Sequence, residues 1–203
     1  MSTQKEKPII FNTQMIQAIL DSRKTMTRRV IKPQPEGADY WTVHKEPWYK
    51  KEIFFPNKDY AKPPLLKCPY GKIGDRLWVR ETHMVYNSPE FKSLEEDMLR
   101  EDLIFYKATD AFRVYRGEKW KPSIHMFRRH SRINLEITDI RVERVKDISL
   151  KDIEAEGIKD KRETNNAIGQ QTKFRALWDD INFKKGYGWE VNPWVFVISF
   201  KRI

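Results

Sequence analysis

One cysteine, Cys68, stands among 203 residues, so the chain cannot close a disulfide on itself. That suits a reducing compartment. The thiol lies beside Pro69 with no histidine near it in sequence, and we expect a packing residue rather than a nucleophile. Metal ligands are scarce too. None of the four histidines, His44, His83, His125 and His130, pairs with Cys68 at a ligand spacing, so we expect no metal and no cofactor. Long hydrophobic runs are missing. No apolar stretch approaches the roughly 20 residues that span a bilayer. The opening MSTQKEKP is polar and lacks the apolar core of a secretory signal. The expectation is a soluble, cytoplasmic protein with no membrane partner.

Acidic charge is in deficit. Lys and Arg number 39 against 29 Asp and Glu, a net charge of +10. Such a balance points to an anionic partner, most often nucleic acid. The charge is also segregated. Residues 23–32 hold five basic side chains and no acid, and residues 113–132 hold seven with one acid, Glu118. Residues 90–102 hold six acids and two bases. Segregation argues for a binding face more strongly than the total does.

The length fits one domain, 1–203, with a real core. Residues 8–11 form a short apolar run that predicts a strand. Met15, Ile16, Ile19 and Leu20 fall at helical spacing, which predicts a helix over 13–22 with Asn12 or Thr13 as N-cap. A second strand is expected over 28–32. Residues 33–67 are rich in Pro and aromatics without periodicity, and we read them as an insertion or lid. A second insertion covers about 84–104, with an acidic helix expected over 88–101. Gly74-Asp75 is a turn leading into a strand over 76–81, and another strand is expected over 103–108. Residues 132–145 alternate until a break near Asp139, where we expect a bulge. Ser149 and Asp152 form a capping box for a short helix ending at Gly157. Residues 159–171 read as polar and mobile. Thr172 is expected to cap a helix whose Phe174, Leu177, Trp178 and Ile181 share a face. Gly186 to Gly188 makes a tight loop, and residues 194–200 close the chain as a strand buried on both faces. Short strands with few long helices predict an α+β domain.

The segment with most chemical content follows the first helix. Residues 22–29 hold two threonines, one lysine and three arginines. A hydroxyl is a weak nucleophile until a base takes its proton. Lys24, three residues before Thr27, is such a base once its pKa falls. Burial and the charges of Arg23, Arg28 and Arg29 both act in that direction. The arginines equally suit a phosphate or a carbonyl oxygen. A basic loop at a helix end, with Thr25 and Thr27 as capping or strand residues, is the plainer reading of the same residues. Residues 120–132 combine Trp120, His125, Phe127 and His130 with Lys121, Arg128, Arg129 and Arg132, a mixture that suits stacked bases and phosphates and equally a barrel strand with a solvated face and a tucked-in tryptophan.

Ser22-x-Lys24-x-x-Thr27-x-Arg29 resembles the Gly-x-Lys-x-x-Glu-x-Arg signature of ASCH domains, relatives of the PUA RNA-binding fold. A branch of that family removes the acetyl group from N(4)-acetylcytidine and carries threonine at the glutamate position, as here. Lys-Cys-Pro-Tyr-Gly at 67–71, Gly-Asp-Arg-Leu-Trp-Val-Arg-Glu at 74–81 and Trp-Lys-Pro-Ser-Ile-His-Met at 120–126 look like ASCH proteins of phages and prophages. The likeness covers most of the chain outside the two insertions.

The resemblance implies a PUA-like small β-barrel with flanking helices. It also implies that Thr27 is the nucleophile of an amidohydrolase, Lys24 its base and Glu156 a proton-passing carboxylate. Glu154 and Glu81 are alternatives for the third role. Ser22 departs from the signature glycine and would be strained if that position needs a positive φ. Three functions follow as expectations. The first is a metal-independent amidohydrolase acting on an N-acylated cytosine nucleoside. The second is a module that binds RNA or a modified nucleotide without catalysis, and the third is an ASCH-type ribonuclease. Arg23, Arg28, Arg29, Trp120, Lys121, Arg128, Arg129 and Arg132 are the expected contacts to nucleoside or RNA.

Overall fold

A computed structural model of the chain describes residues 4–35, 42–44, 52–54, 65–86, 103–112, 119–158 and 167–203. The acidic helix expected over 88–101 lies outside them.

The frame is a mixed sheet of five strands. These are β1 (Glu6–Ile10), β2 (Met26–Val30), β6 (Arg76–Arg80), β9 (Asn134–Arg144) and β10 (Trp194–Arg202), in the order β1-β6-β9-β10-β2. Only β1 and β6 run parallel, and the other neighbours are antiparallel. Pro8 is accommodated because β1 is an edge strand, where a missing N–H costs no ladder bond. The register of β9 on β10 shifts between Ser199 and Phe200, opposite Asp139 and Ile137, which is the bulge expected there.

Both faces of the sheet are covered. Trp194, Phe196, Ile198 and Phe200 of β10 join a core with Leu77, Leu135 and Ile137. Ile16 and Ile19 of α1 (Thr13–Leu20) complete it. The alternate residues Val195 and Val197 enter a second core with Ile153 of α3 (Leu150–Ala155) and with Phe174 and Trp178 of α4 (Ala167–Asn182). This two-sided burial explains why β10 reads as a continuous apolar run. Trp178 and Trp194 are core residues, 5% and 3% exposed.

Several boundaries differ from the sequence expectation. Asn12 is the N-cap of α1, its Oδ1 accepting from the Met15 N–H at 2.9 Å. The last helix, α4, starts at Ala167, so Thr172 is not its cap. The Thr172 hydroxyl donates to the Ile168 carbonyl one turn back (2.8 Å), the way an interior threonine satisfies itself. Residues 167–171 are therefore helical. Residues 33–67, expected without regular structure, contribute the three short antiparallel strands β3 (Thr42–His44), β4 (Glu52–Phe54) and β5 (Leu65–Leu66). The second insertion begins and ends in a ladder between β7 (His83–Tyr86) and β8 (Leu103–Tyr106), followed by a single turn, α2 (Lys107–Asp110).

Among the described residues no ladder joins β1 to β2, so the sheet is open between its edges and is not a closed barrel. No helix among them is long and apolar enough to cross a membrane.

Candidate active site

Two helix ends build the site. After α1 the chain turns in a Schellman motif: the Arg23 N–H donates to the Ala18 carbonyl (2.8 Å) and the Ser22 N–H to that of Ile19 (3.0 Å). That motif needs a left-handed residue, and Ser22 supplies it with φ +57°. A glycine fits there without strain, so Ser22→Gly should raise stability by up to about 1 kcal/mol, read as the urea midpoint. A lower midpoint would mean the serine side chain has a role of its own.

A second Schellman motif ends α3. The N–H groups of Gly157 and Ile158 donate to the Glu154 and Ile153 carbonyls at 2.8 and 3.3 Å. Gly157 has φ +87°, and a Cβ on it would lie 2.8 Å from Ala18 Cβ and 3.0 Å from Lys24 Cβ. Only glycine lets the two ends approach this closely. Lys24 and Glu156 then pair as an isolated antiparallel bridge, and the Thr25 N–H donates to the Ala155 carbonyl at 2.8 Å.

The approach buries Lys24 to 2% exposure and Glu156 to 5%. Lys24 Nζ donates to Glu156 Oε2 at 2.5 Å and to the Glu156 carbonyl at 3.1 Å. A cation at carbonyls that end a helix is also favourably placed. Burial pushes the Lys24 ammonium down from the usual lysine range, the Glu156 carboxylate opposes this, and Arg29 and Arg28 add to the fall. Of the three carboxylates the sequence left open, Glu156 is the one that meets Lys24. Glu154 is exposed, and Glu81 pairs elsewhere.

Thr27 stands on β2, an edge strand, and is 3% exposed. It is thus a buried strand residue and not an open loop residue, because the loop has already ended at Thr25. Thr27 and Glu156 line a cavity of about 760 Å³. Its walls come from β2, the start of α1, residues 67–70 and the apolar face of α4, so Phe174, Leu177, Trp178 and Ile181 serve as wall as well as packing. The volume suits a small molecule. The Thr27 hydroxyl makes no hydrogen bond to any described residue. It makes no hydrogen bond to Lys24 Nζ, which donates to Glu156.

The arginines have separate duties. Arg28 is 6% exposed and its guanidinium is occupied by carboxylates. It bonds Glu143, Asp152 (2.8 Å) and Glu156 (3.3 Å). Arg141 joins the same cluster, bonding Glu143 at 3.2 Å and Asp152 at 2.5 Å. Burial raises the Asp152 carboxyl, but Arg141 and Arg28 outweigh it and hold the group below its usual range. Arg28 therefore positions Glu156 and is not free for a ligand. Arg23 is turned to Asp21 (2.8 Å) and the Gly157 carbonyl (2.8 Å), outside the cavity. Arg29 does line the cavity. It donates to the Ile10 carbonyl at 2.6 Å, lies 5.1 Å from the Phe11 ring, and its Nε has no hydrogen-bond partner among the described residues. Glu143, Asp152 and Arg141 were missed by sequence reasoning. The i, i+2 placement of Arg141 and Glu143 on one face of β9 was the available signal.

Trp120, Lys121, Arg128, Arg129 and Arg132 do not line this cavity. The Lys121 backbone pairs with His83, and Trp120 is half-buried beside it. Arg128 bonds Glu6 (3.0 and 3.1 Å) and Asn134 (3.0 Å). Arg129 lies 5.2 Å from the Phe127 ring and donates to His130 Nε2 at 3.0 Å. Arg132 forks onto Glu81 at 2.9 and 3.0 Å and lies 3.9 Å above the Tyr106 ring. Glu81 is 2% exposed, and burial raises its carboxyl against the pull of Arg132. Arg132→Ala strands that carboxylate and should cost about 2 kcal/mol of stability. The loss is measured by urea unfolding, and no loss would mean water replaces the guanidinium.

Cys68 is partly buried, and burial pushes its thiol up, away from a reactive thiolate. No group of three or more His, Cys, Asp and Glu able to hold a metal occurs among the described residues. No family model matches the chain, and neither a curated protein nor a solved structure matches it.

Proposed function

We propose that the cavity beside β2 is the active site of a metal-independent amidohydrolase acting on an N-acylated cytosine nucleoside, on a PUA-like fold of the ASCH type. The observation that carries this reading is the buried Lys24–Glu156 pair, whose Glu156 lines the same cavity as Thr27, a residue whose hydroxyl makes no hydrogen bond among the described residues. The Ser22 φ of +57° adds support, since the signature residue there is glycine.

Thr27 Oγ1 attacks the amide carbon, and its proton passes to neutral Lys24 after Nζ has turned from Glu156 toward the hydroxyl. The carbonyl oxygen takes the negative charge, stabilised by the Arg29 guanidinium. When the C–N bond breaks, Glu156 relays the proton from Lys24 to the leaving amine. Water then attacks the threonyl ester, giving the carboxylic acid and restoring the hydroxyl. Burial helps at the first step, because it raises the fraction of neutral Lys24.

Purified protein should release cytidine from N(4)-acetylcytidine, followed by chromatography. Absence of release from any N-acylated cytosine nucleoside would sink the reading. A module that binds RNA or a modified nucleotide without chemistry is favoured by one observation: Lys24 bonds Glu156 and not Thr27.

A further inference from the structure

The charge around the cavity is lopsided. Among the described residues its lining holds Arg28, Arg29, Lys32, Lys67 and Lys185 but a single acid, Glu156. Glu156 is already neutralised by Lys24 and Arg28. The three lysines are exposed, arise from three separate chain segments, and form no ion pair with a described carboxylate. Lys32 is held 4.9 Å from the Tyr187 ring, which also lines the cavity. The cavity thus joins the apolar side chains of α4, Thr27 and Glu156, and lysines from three chain segments.

An uncharged nucleoside gives these cations nothing to bind. Lysines lining one apolar-walled cleft raise the local concentration of anions and bond phosphate oxygens strongly. We propose that the ligand of this cavity carries a phosphate monoester: a mononucleotide with its phosphate at Lys32, Lys67 and Lys185 and its base directed toward Thr27. This rests on the amidohydrolase reading for the identity of the base, and on the lysines alone for the phosphate. A cavity of about 760 Å³ is of a size that suits a mononucleotide.

The test is calorimetric binding of cytidine 5′-monophosphate and of cytidine to the full chain at low ionic strength. The monophosphate should bind at least about tenfold tighter, a difference of about 1.4 kcal/mol. The preference should vanish in about 1 M salt, where the screening length falls to about 3 Å. The Lys67→Ala/Lys185→Ala variant should lose most of it, whereas Lys151→Ala, an exposed change on α3 outside the cavity, should not. Equal affinity for the two ligands, no binding of either, or an unchanged preference in the double variant would overturn the inference. So would a single-stranded RNA without a terminal phosphate that competes as well as the monophosphate. Hydrolysis separates this inference from the parent reading. Equal kcat/KM on N(4)-acetylcytidine and its 5′-monophosphate would overturn the phosphate site and leave the amidohydrolase standing. Tight, salt-sensitive monophosphate binding without hydrolysis of either would do the reverse.

Discussion

Thr27→Val should lower the hydrolysis of N(4)-acetylcytidine by about 1,000-fold or more, since loss of a nucleophile removes the covalent route entirely. Valine nearly matches threonine in shape, and β2 is a strand, where β-branched residues are at home. The hydroxyl has no hydrogen-bond partner among the described residues, so none is orphaned by its removal. The change in stability should stay within about 1 kcal/mol, or about 2–4 °C in Tm for a chain of this size. Thr27→Ser keeps a hydroxyl and should keep turnover. Steady-state kinetics with thermal unfolding on the same samples separates chemistry from folding. Valine at the parent rate would remove Thr27 from the mechanism.

Lys24→Met should cost about 3 kcal/mol or more of folding free energy, because it leaves the Glu156 carboxylate buried without its closest cation. Arg28 still reaches Glu156 at 3.3 Å, which keeps the loss from being larger. Adding Glu156→Gln removes the stranded charge and should restore part of the loss. The pH dependence has a definite sign. The folded Lys24 has a lowered pKa, so above that value the folded chain has shed a proton that the unfolded chain still holds. Stability from this group is therefore fully present above the unfolded lysine value of about 10.4 and is lost as pH falls through the folded value. Parent and Lys24→Met should diverge in that window when unfolding free energy is measured against pH. Parallel curves would mean that Lys24 is not perturbed in the folded chain.

Much of the frame was legible because local signals and tertiary packing agree. The apolar run of β10, the bulge opposite Ser199, the Ser149 cap and the Gly157 stop all stand where their side chains ask for them. The start of α4 was not legible, since Gln170 and Gln171 read as loop and the helix is held by Phe174 and Trp178 farther along. The strands at 42–44, 52–54 and 65–66 are too short for alternation to register. In the site, the candidates Lys24 and Thr27 were legible through spacing and resemblance, with Glu156 one of three carboxylates left open. Their burial was not, because it depends on two helix ends meeting across 132 residues of sequence. The partners of Arg28 and Arg132 were hidden in the same way. A basic stretch shows its charge in the sequence and hides the carboxylates that fold back onto it from β9, α3 and residue 81.

The most direct measurement is the rate of N(4)-acetylcytidine hydrolysis by the parent chain and by Lys24→Arg across pH. Arginine keeps the positive charge but cannot give up a proton at working pH. The account predicts a parent rate that climbs with pH, with its midpoint below the ordinary lysine value, and a Lys24→Arg variant nearly without activity at every pH. Parent-like hydrolysis by Lys24→Arg, or a parent chain with no hydrolysis at any pH, would contradict it.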